Sequence, residues 1–190
     1  MDTIGVVLAG GLSRRYGSPK AFATRNGKPY YEIAYEALST VSDEVVLVAR
    51  PEFIGQFNQG LKVIVDVKEF MGCGPLAGIY SVMSHFPADR YVIVPCDMPY
   101  INSEVIDSLV AAYEGEDVLA VEVDGVQHPI VAIYHYRMKD SIHQALEHGQ
   151  YSVMKWLNGV GVRWVEGIEL TTNAQDVFRN MNTPEEQLEG

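Results

Sequence analysis

Between Thr3 and Tyr31 the chain carries five basic residues, Arg14, Arg15, Lys20, Arg25 and Lys28, and no acid, although its formal net charge is −11. The first three lie in a loop, Gly10-Gly11-Leu12-Ser13-Arg14-Arg15-Tyr16-Gly17-Ser18-Pro19-Lys20, that leaves the apolar run Val6-Val7-Leu8-Ala9. A glycine turn at a strand end lets backbone groups approach an anion closely, and guanidinium and ammonium groups supply the counter-charge. That chemistry suits a polyphosphate. Leu8, Ala9 and Gly10 would lend backbone groups, and Lys20 would reach the phosphates as a point charge. The loop matches neither G-x-x-x-x-G-K-[ST] nor G-x-G-x-x-G, so it is neither a P-loop nor a dinucleotide fingerprint. Arg25 and Lys28 read as surface charge.

A second constellation is Tyr91-Val92-Ile93-Val94-Pro95-Cys96-Asp97-Met98-Pro99, an apolar run that ends in an aspartate between two prolines. Ligands of open parallel sheets bind beyond the carboxyl ends of the strands, where Asp97 and the Gly10 loop would meet. A carboxylate there suits Mg²⁺, which takes one or two carboxylates together with phosphate oxygens and water. The alternative is an aspartate that caps a turn, a role for which Asn102 and Ser103 also stand ready. Asp66 ends another strand at the same edge; it either bonds a ribose hydroxyl or base, or opens the loop that follows. Gly72-Cys73-Gly74-Pro75-Leu76-Ala77-Gly78 opens a helix whose glycines allow either ligand approach or close helix packing. His128-Pro129 interrupts an apolar strand, which implies an edge or a bulge that can re-aim side chains. His128 is then either a site residue or a partly exposed structural histidine.

The elements that must position these residues alternate. Ile4–Leu8, Glu44–Val48, Lys62–Val65, Tyr91–Val94 and Val118–Val123 read as strands, the first four apolar on both faces as in a covered parallel sheet. Pro29–Leu38, Pro75–His85 and Ser103–Tyr113 have helical spacing, with each proline in a first turn. Asp124-Gly125 predicts a hairpin into Val126–Tyr134, and so an antiparallel strand in the sheet. Helices near Arg137–Glu147 and Ser152–Leu157, a strand near Val162–Val165 and a C-terminal helix capped at Thr183-Pro184-Glu185-Glu186 complete the chain. The expectation is one mixed α/β domain over 1–190, a three-layer Rossmann-like sandwich with a mostly parallel sheet.

Length and composition agree. The 190 residues, 47% hydrophobic and 21% charged, suffice for a core without metals or disulfides. The acidic balance argues against nucleic acid or an anionic membrane as partner. Cys73 and Cys96 form no C-x-x-C pair, and the start Met1-Asp2-Thr3 has no charged leader, so a reducing, cytoplasmic setting is expected.

Taken together, Leu8-Ala9-Gly10-Gly11-Leu12-Ser13-Arg14-Arg15-Tyr16-Gly17-Ser18-Pro19-Lys20, Gly74-Pro75-Leu76-Ala77-Gly78-Ile79, Pro95-Cys96-Asp97-Met98-Pro99-Tyr100 and Asn182-Thr183-Pro184-Glu185-Glu186 resemble blocks of a known family in the same order. They are similar to nucleotidyltransferases with a nucleotide-diphospho-sugar transferase-like fold, most closely the molybdenum cofactor guanylyltransferases of the MobA family. By that resemblance Leu8, Ala9, Gly10, Lys20 and Asp66 would bind GTP, and Asp97 would bind Mg²⁺, or Mn²⁺ in its place. Arg15 would join Lys20 and Asp97 in catalysis. His128 and Asn182 would lie near the acceptor. Members commonly carry an asparagine where Arg50 stands, which leaves the base open.

The implied reaction transfers GMP from GTP to the terminal phosphate of molybdopterin carrying molybdenum, with release of pyrophosphate. Other molybdenum cofactor biosynthesis proteins and apo-molybdoenzymes are the implied partners. Two rivals remain: a CTP-dependent transferase acting on molybdopterin or a small phosphorylated alcohol, and a non-catalytic nucleotide-binding module that delivers cofactor.

Overall fold

In the computed structural model residues 1–11 and 19–181 are described. The expected C-terminal helix, Asn182, Arg14 and Arg15 lie outside them. In chain order the elements are β1 (Thr3–Leu8), the two-residue strands β2 (Thr24–Arg25) and β3 (Lys28–Pro29), α1 (Tyr30–Ser39), β4 (Glu44–Val48), β5 (Lys62–Ile64), α2 (Pro75–His85) and β6 (Arg90–Pro95). Then follow α3 (Ser103–Ala111), β7 (Val118–Val123), β8 (Val126–His135), α4 (Lys139–Glu147), α5 (Val153–Leu157), β9 (Val162–Glu166) and the one-turn helices α6 (Gly167–Leu170) and α7 (Ala174–Val177).

The main sheet has the order β5-β4-β1-β6-β8-β7-β9. β1 pairs in parallel with β4 and β6, β4 with β5, and β7 with β9; β8 is antiparallel to both of its neighbours. This is the mixed, mostly parallel sheet of a three-layer α/β Rossmann-like sandwich. The strands alternate core to core. On one face Val7, Leu47, Val94 and Leu119 pack with Leu38 of α1 and Leu109 of α3. On the other, Val6, Val46, Ile93 and Ala120 pack with Ile79 of α2, Ile142 of α4 and Trp156 of α5. Runs apolar on both faces leave a strand no solvated side, which forces the third layer.

The expected strands and helices recur within a residue or two, with small physical differences. Pro29 stands at the N-cap of α1, in β3, rather than inside its first turn. The segment Tyr136–Met138 is a 3₁₀ turn, so α4 begins at Lys139. Asn102 caps α3, its Oδ1 accepting from the Val105 amide at 3.0 Å. A hairpin not expected from the sequence joins β2 to β3 across Asn26 and Gly27, whose φ values of 52° and 78° suit a two-residue turn.

His128-Pro129 falls at a bulge, where β8 pairs with β7 alone, beyond the end of its pairing with β6. Ala120 of β7 faces Ala132 of β8, but the next residue, Val121, faces His128. Residues 129–131 are thus accommodated by the bulge, and proline loses no ladder bond there. The buried Tyr134 hydroxyl donates to the Pro129 carbonyl at 2.6 Å and fixes the distortion. Burial far raises the pKa of that hydroxyl, so it remains a donor.

Candidate active site

From β1 the chain passes to β4 and β5 on one side of the sheet and then to β6 on the other. The carboxyl ends of β1, β4 and β6 therefore surround the point where the strand order reverses, the favoured ligand crevice of such sheets. Leu8 and Ala9 root the loop there: the Leu8 carbonyl accepts from the Cys96 amide at 3.2 Å, and the Ala9 amide donates to Val48 at 2.8 Å. Those two groups continue the sheet, so the free approach lies at Gly10 and Gly11. A Cβ on Gly10 would meet only Arg50 and the end of β4, at 3.8 Å or more, and one on Gly11 would meet nothing within 4 Å. Neither packing nor a positive φ requires glycine at these positions.

Past the residues outside the description, Lys20 opens a 3₁₀ turn, Lys20–Phe22. Ala21 is buried, and the Phe22 ring packs against Tyr31, Phe53 and Phe57 at 5.8, 6.2 and 4.9 Å between centroids. That aromatic cluster holds the turn so that Lys20 Nζ lies 3.2 Å from Asp97 Oδ2. Asp97 sits in the turn after β6. Its carbonyl accepts from the Met181 amide at 2.9 Å, which lays the C-terminal segment over the turn. Among the described residues no group of three His, Cys, Asp or Glu side chains could hold a metal by itself. Asp97 Oδ1 accepts no hydrogen bond among them. One carboxylate with a free oxygen fits a hard cation such as Mg²⁺, which completes its shell with phosphate and water oxygens.

Asp66 follows β5, and its Oδ2 accepts from the Gly72 amide at 2.9 Å, so one oxygen opens the loop. Its Oδ1 lies 3.6 Å from where a Cβ on Gly78 would stand, at the first turn of α2. Burial raises the Asp66 pKa, and the Gly72 bond opposes the rise. Gly78 itself is packed: a Cβ there would come within 3.2 Å of Leu8 and 3.3 Å of Val48. Close helix packing is its clear role.

His128, half-buried, lines a cavity of about 380 Å³ together with Asp97, Pro129, Tyr151 and Asn180. Burial lowers its pKa, while the negative charge of Asp97 raises it in part. Its ring lies 6.0 Å from Phe178, just past α7. A larger groove of about 850 Å³ lies beyond the Pro99–Tyr100 turn and contains neither Lys20 nor Asp97 nor His128. The paired charges of Lys20 and Asp97 stand apart from this larger groove.

The structure brings together Lys20, Asp97 and His128, and places Gly10 and Asp66 beyond strand ends at the same edge of the sheet. Arg15 and Asn182 lie outside the described residues. Arg25 departs from surface charge: its guanidinium stands 4.1 Å above the Tyr100 ring. The Asn26-Gly27 pair was the signal for the hairpin that aims it. Lys28 does pair with the exposed Glu36, as surface charge would.

The model of the MobA-like NTP transferase domain matches residues 5–162. A probable molybdenum cofactor guanylyltransferase of Geobacillus sp. is 42% identical over 186 residues, covering 96% of this chain and 94% of its own. One of Bacillus cereus is 35% identical over 189 residues, covering 97% and 94%. The crystal structure of molybdopterin-guanine dinucleotide biosynthesis protein A from Archaeoglobus fulgidus superposes with a TM-score of 0.81 at 26% identity, over 98% of this chain and 95% of that one. With near-complete coverage in sequence and in fold, the chain belongs to the MobA-like NTP transferase family.

Proposed function

We infer that the protein is a molybdenum cofactor guanylyltransferase, acting as one domain over 1–190. It transfers GMP from GTP to the terminal phosphate of molybdopterin and releases pyrophosphate. The observation that carries this is the Lys20–Asp97 pair beyond the carboxyl end of β6, at the sheet's reversal point, with Asp97 also lining the His128 cavity. The naming of relatives at 35–42% identity as probable guanylyltransferases supports the same reaction.

The acceptor phosphate is already ionised at neutral pH, so its oxygen needs no strong general base. That oxygen forms a bond to the α-phosphorus of GTP as the bond to the bridging oxygen breaks, and pyrophosphate carries the electron pair away. The protein's task is in-line placement and neutralisation of charge. Gly10 admits the triphosphate close to the backbone, with Leu8 and Ala9 as the root of that turn. Lys20, with Arg15, covers the departing phosphates. Asp66 holds the nucleoside end, and His128 and Asn182 face the acceptor. A divalent cation held by Asp97, Mg²⁺ or Mn²⁺, would supply neutralisation of the phosphate oxygens. Among the described residues no helix is long and apolar enough to cross a membrane. A cytoplasmic setting, with other cofactor-biosynthesis proteins or apo-molybdoenzymes as receivers of the product, accords with this chemistry.

The test is pyrophosphate release with GTP, CTP, ATP and UTP in parallel, with molybdopterin as acceptor and Mg²⁺ or Mn²⁺ present. GTP should be preferred and a guanine dinucleotide recovered. A preference for CTP would replace the assignment with a cytidylyltransferase. Tight GTP binding without turnover would leave a delivery module.

A further inference from the structure

Three residues beyond Asp97, the half-buried Tyr100 ring carries guanidinium groups from two segments far apart in the chain. Arg25 Cζ lies 4.1 Å from the ring centroid and Arg179 Cζ lies 5.6 Å from it. Both distances fall within the range where the ring quadrupole attracts a cation. Arg25 comes from β2, held by the hairpin across Asn26-Gly27. Arg179 comes from the segment just past α7.

Each stacked arginine has a backbone tie to the same turn nearby. Arg25 Nη1 donates to the Pro99 carbonyl at 3.4 Å, and two residues past Arg179 the Met181 amide donates to the Asp97 carbonyl at 2.9 Å. Cys96, Met98 and Ile101 are buried and anchor the turn to the core from beneath. Tyr100 instead lies on the wall of the 850 Å³ groove, where Arg25 and Arg179 also stand. The segments it joins are those that carry Lys20, Asp97 and Asn180. No bond to substrate is needed for it to matter.

We propose that Tyr100 is a positioning residue for nucleotidyl transfer: in contact with both Arg25 and Arg179, its ring keeps the Asp97 turn in register with the Lys20 segment and the C-terminal segment. This role rests on the function proposed above for the same site. A displacement of about 1 Å among reacting groups can lower turnover by about 10²-fold, so a loosened turn acts on kcat rather than on ground-state binding.

The experiment compares Tyr100→Leu, which keeps an apolar side chain but removes the π face, with Tyr100→Phe, which keeps the face. Steady-state kinetics, thermal melting and amide hydrogen exchange are measured for both. Tyr100→Leu should lose about 10-fold or more in kcat, with the KM for GTP changed less than about threefold. Exchange should quicken in residues 96–101 and 178–181 while the central strands stay protected. Tyr100→Phe should restore kcat to within about twofold, since Phe also offers a π face to a cation. Unchanged kcat in Tyr100→Leu would overturn the proposal, as would an equal loss in Tyr100→Phe. Faster exchange throughout the sheet would reduce Tyr100 to a general stabiliser and also overturn it. If Tyr100→Leu does not fold, Arg25→Gln removes the closer stack and the tie to the Pro99 carbonyl while leaving the buried anchors Cys96, Met98 and Ile101 in place. It should lower kcat in the same direction. The exchange measurement needs no substrate. Wild-type pyrophosphate release is the separate control on which the functional assignment stands.

Discussion

The Lys20 ammonium and the Asp97 carboxylate stand 3.2 Å apart although 77 residues separate them in the chain. The Lys20 side chain is 14% exposed and that of Asp97 28%, so both stay within reach of a ligand. In the protein alone each charge answers the other. A triphosphate with its cation would offer each a new partner, which makes the pair a site already neutral before substrate arrives.

Asp97→Asn keeps the shape but removes the charge that would hold a cation, and kcat should fall by about 10²-fold or more. Lys20→Ala should both raise the KM for GTP and slow turnover. Pyrophosphate release across a GTP series measures both. Near-normal cation-dependent activity in Asp97→Asn would sink the metal assignment, and unchanged kinetics in Lys20→Ala would move the phosphates elsewhere.

Asp66→Asn separates the loop-opening role of that residue from a nucleotide role. The amide oxygen can still accept from the Gly72 amide, so the loop should persist. Loss of a charged hydrogen bond to the nucleoside should raise the KM for GTP by about 3- to 10-fold. The raised pKa of Asp66 sets the sign of a pH effect. In the window between its unfolded and its raised folded pKa, the native state holds more protons, so the wild type loses stability as pH rises through it. Below that window the cost is absent. Urea unfolding from acid to neutral pH should show the loss in the wild type and a flatter profile in Asp66→Asn.

The two cysteines should differ sharply. Cys96 is buried at the root of the Asp97 turn; burial, aided by the Asp97 charge, pushes its thiol up to about 12. Cys73, between Gly72 and Gly74, is part-exposed. Thiol titration of the native protein should therefore find about one reactive group per chain, and both after unfolding. GTP should slow the reaction at Cys73, because Asp66 shapes the same loop. Two fast thiols in the native state would contradict the packing around Asp97.

Much of this architecture was legible from β-branched runs. Glu44–Val48 and Val118–Val123 end where their apolar patterns end, because a strand buried on both faces admits few other residues. The bulge at His128-Pro129 was legible from proline's missing donor, though the choice between bulge and edge needed the register. Asp97 and Lys20 were legible because each follows from a strand end and the sheet order. Arg25, Tyr100 and Arg179 were not, since nothing local in their sequence ties three distant segments to one ring. The one-turn helices α6 and α7 were missed for a related reason: four residues are too few to show a helical period.

The bulge in β8 divides that strand into two independent assignments. Residues 132–135 pair with β6 and are bound to the sheet, whereas residues 126–128 pair only with β7 beyond the distortion. His128, Pro129 and Ile130 line the cavity beside Asp97, and the Tyr134 hydroxyl fastens the two halves at Pro129. The cavity wall formed by residues 127–130 can therefore vary without re-registering residues 132–135 against β6. On the function proposed above, substitutions there would change the acceptor side while leaving the Lys20–Asp97 pair in place.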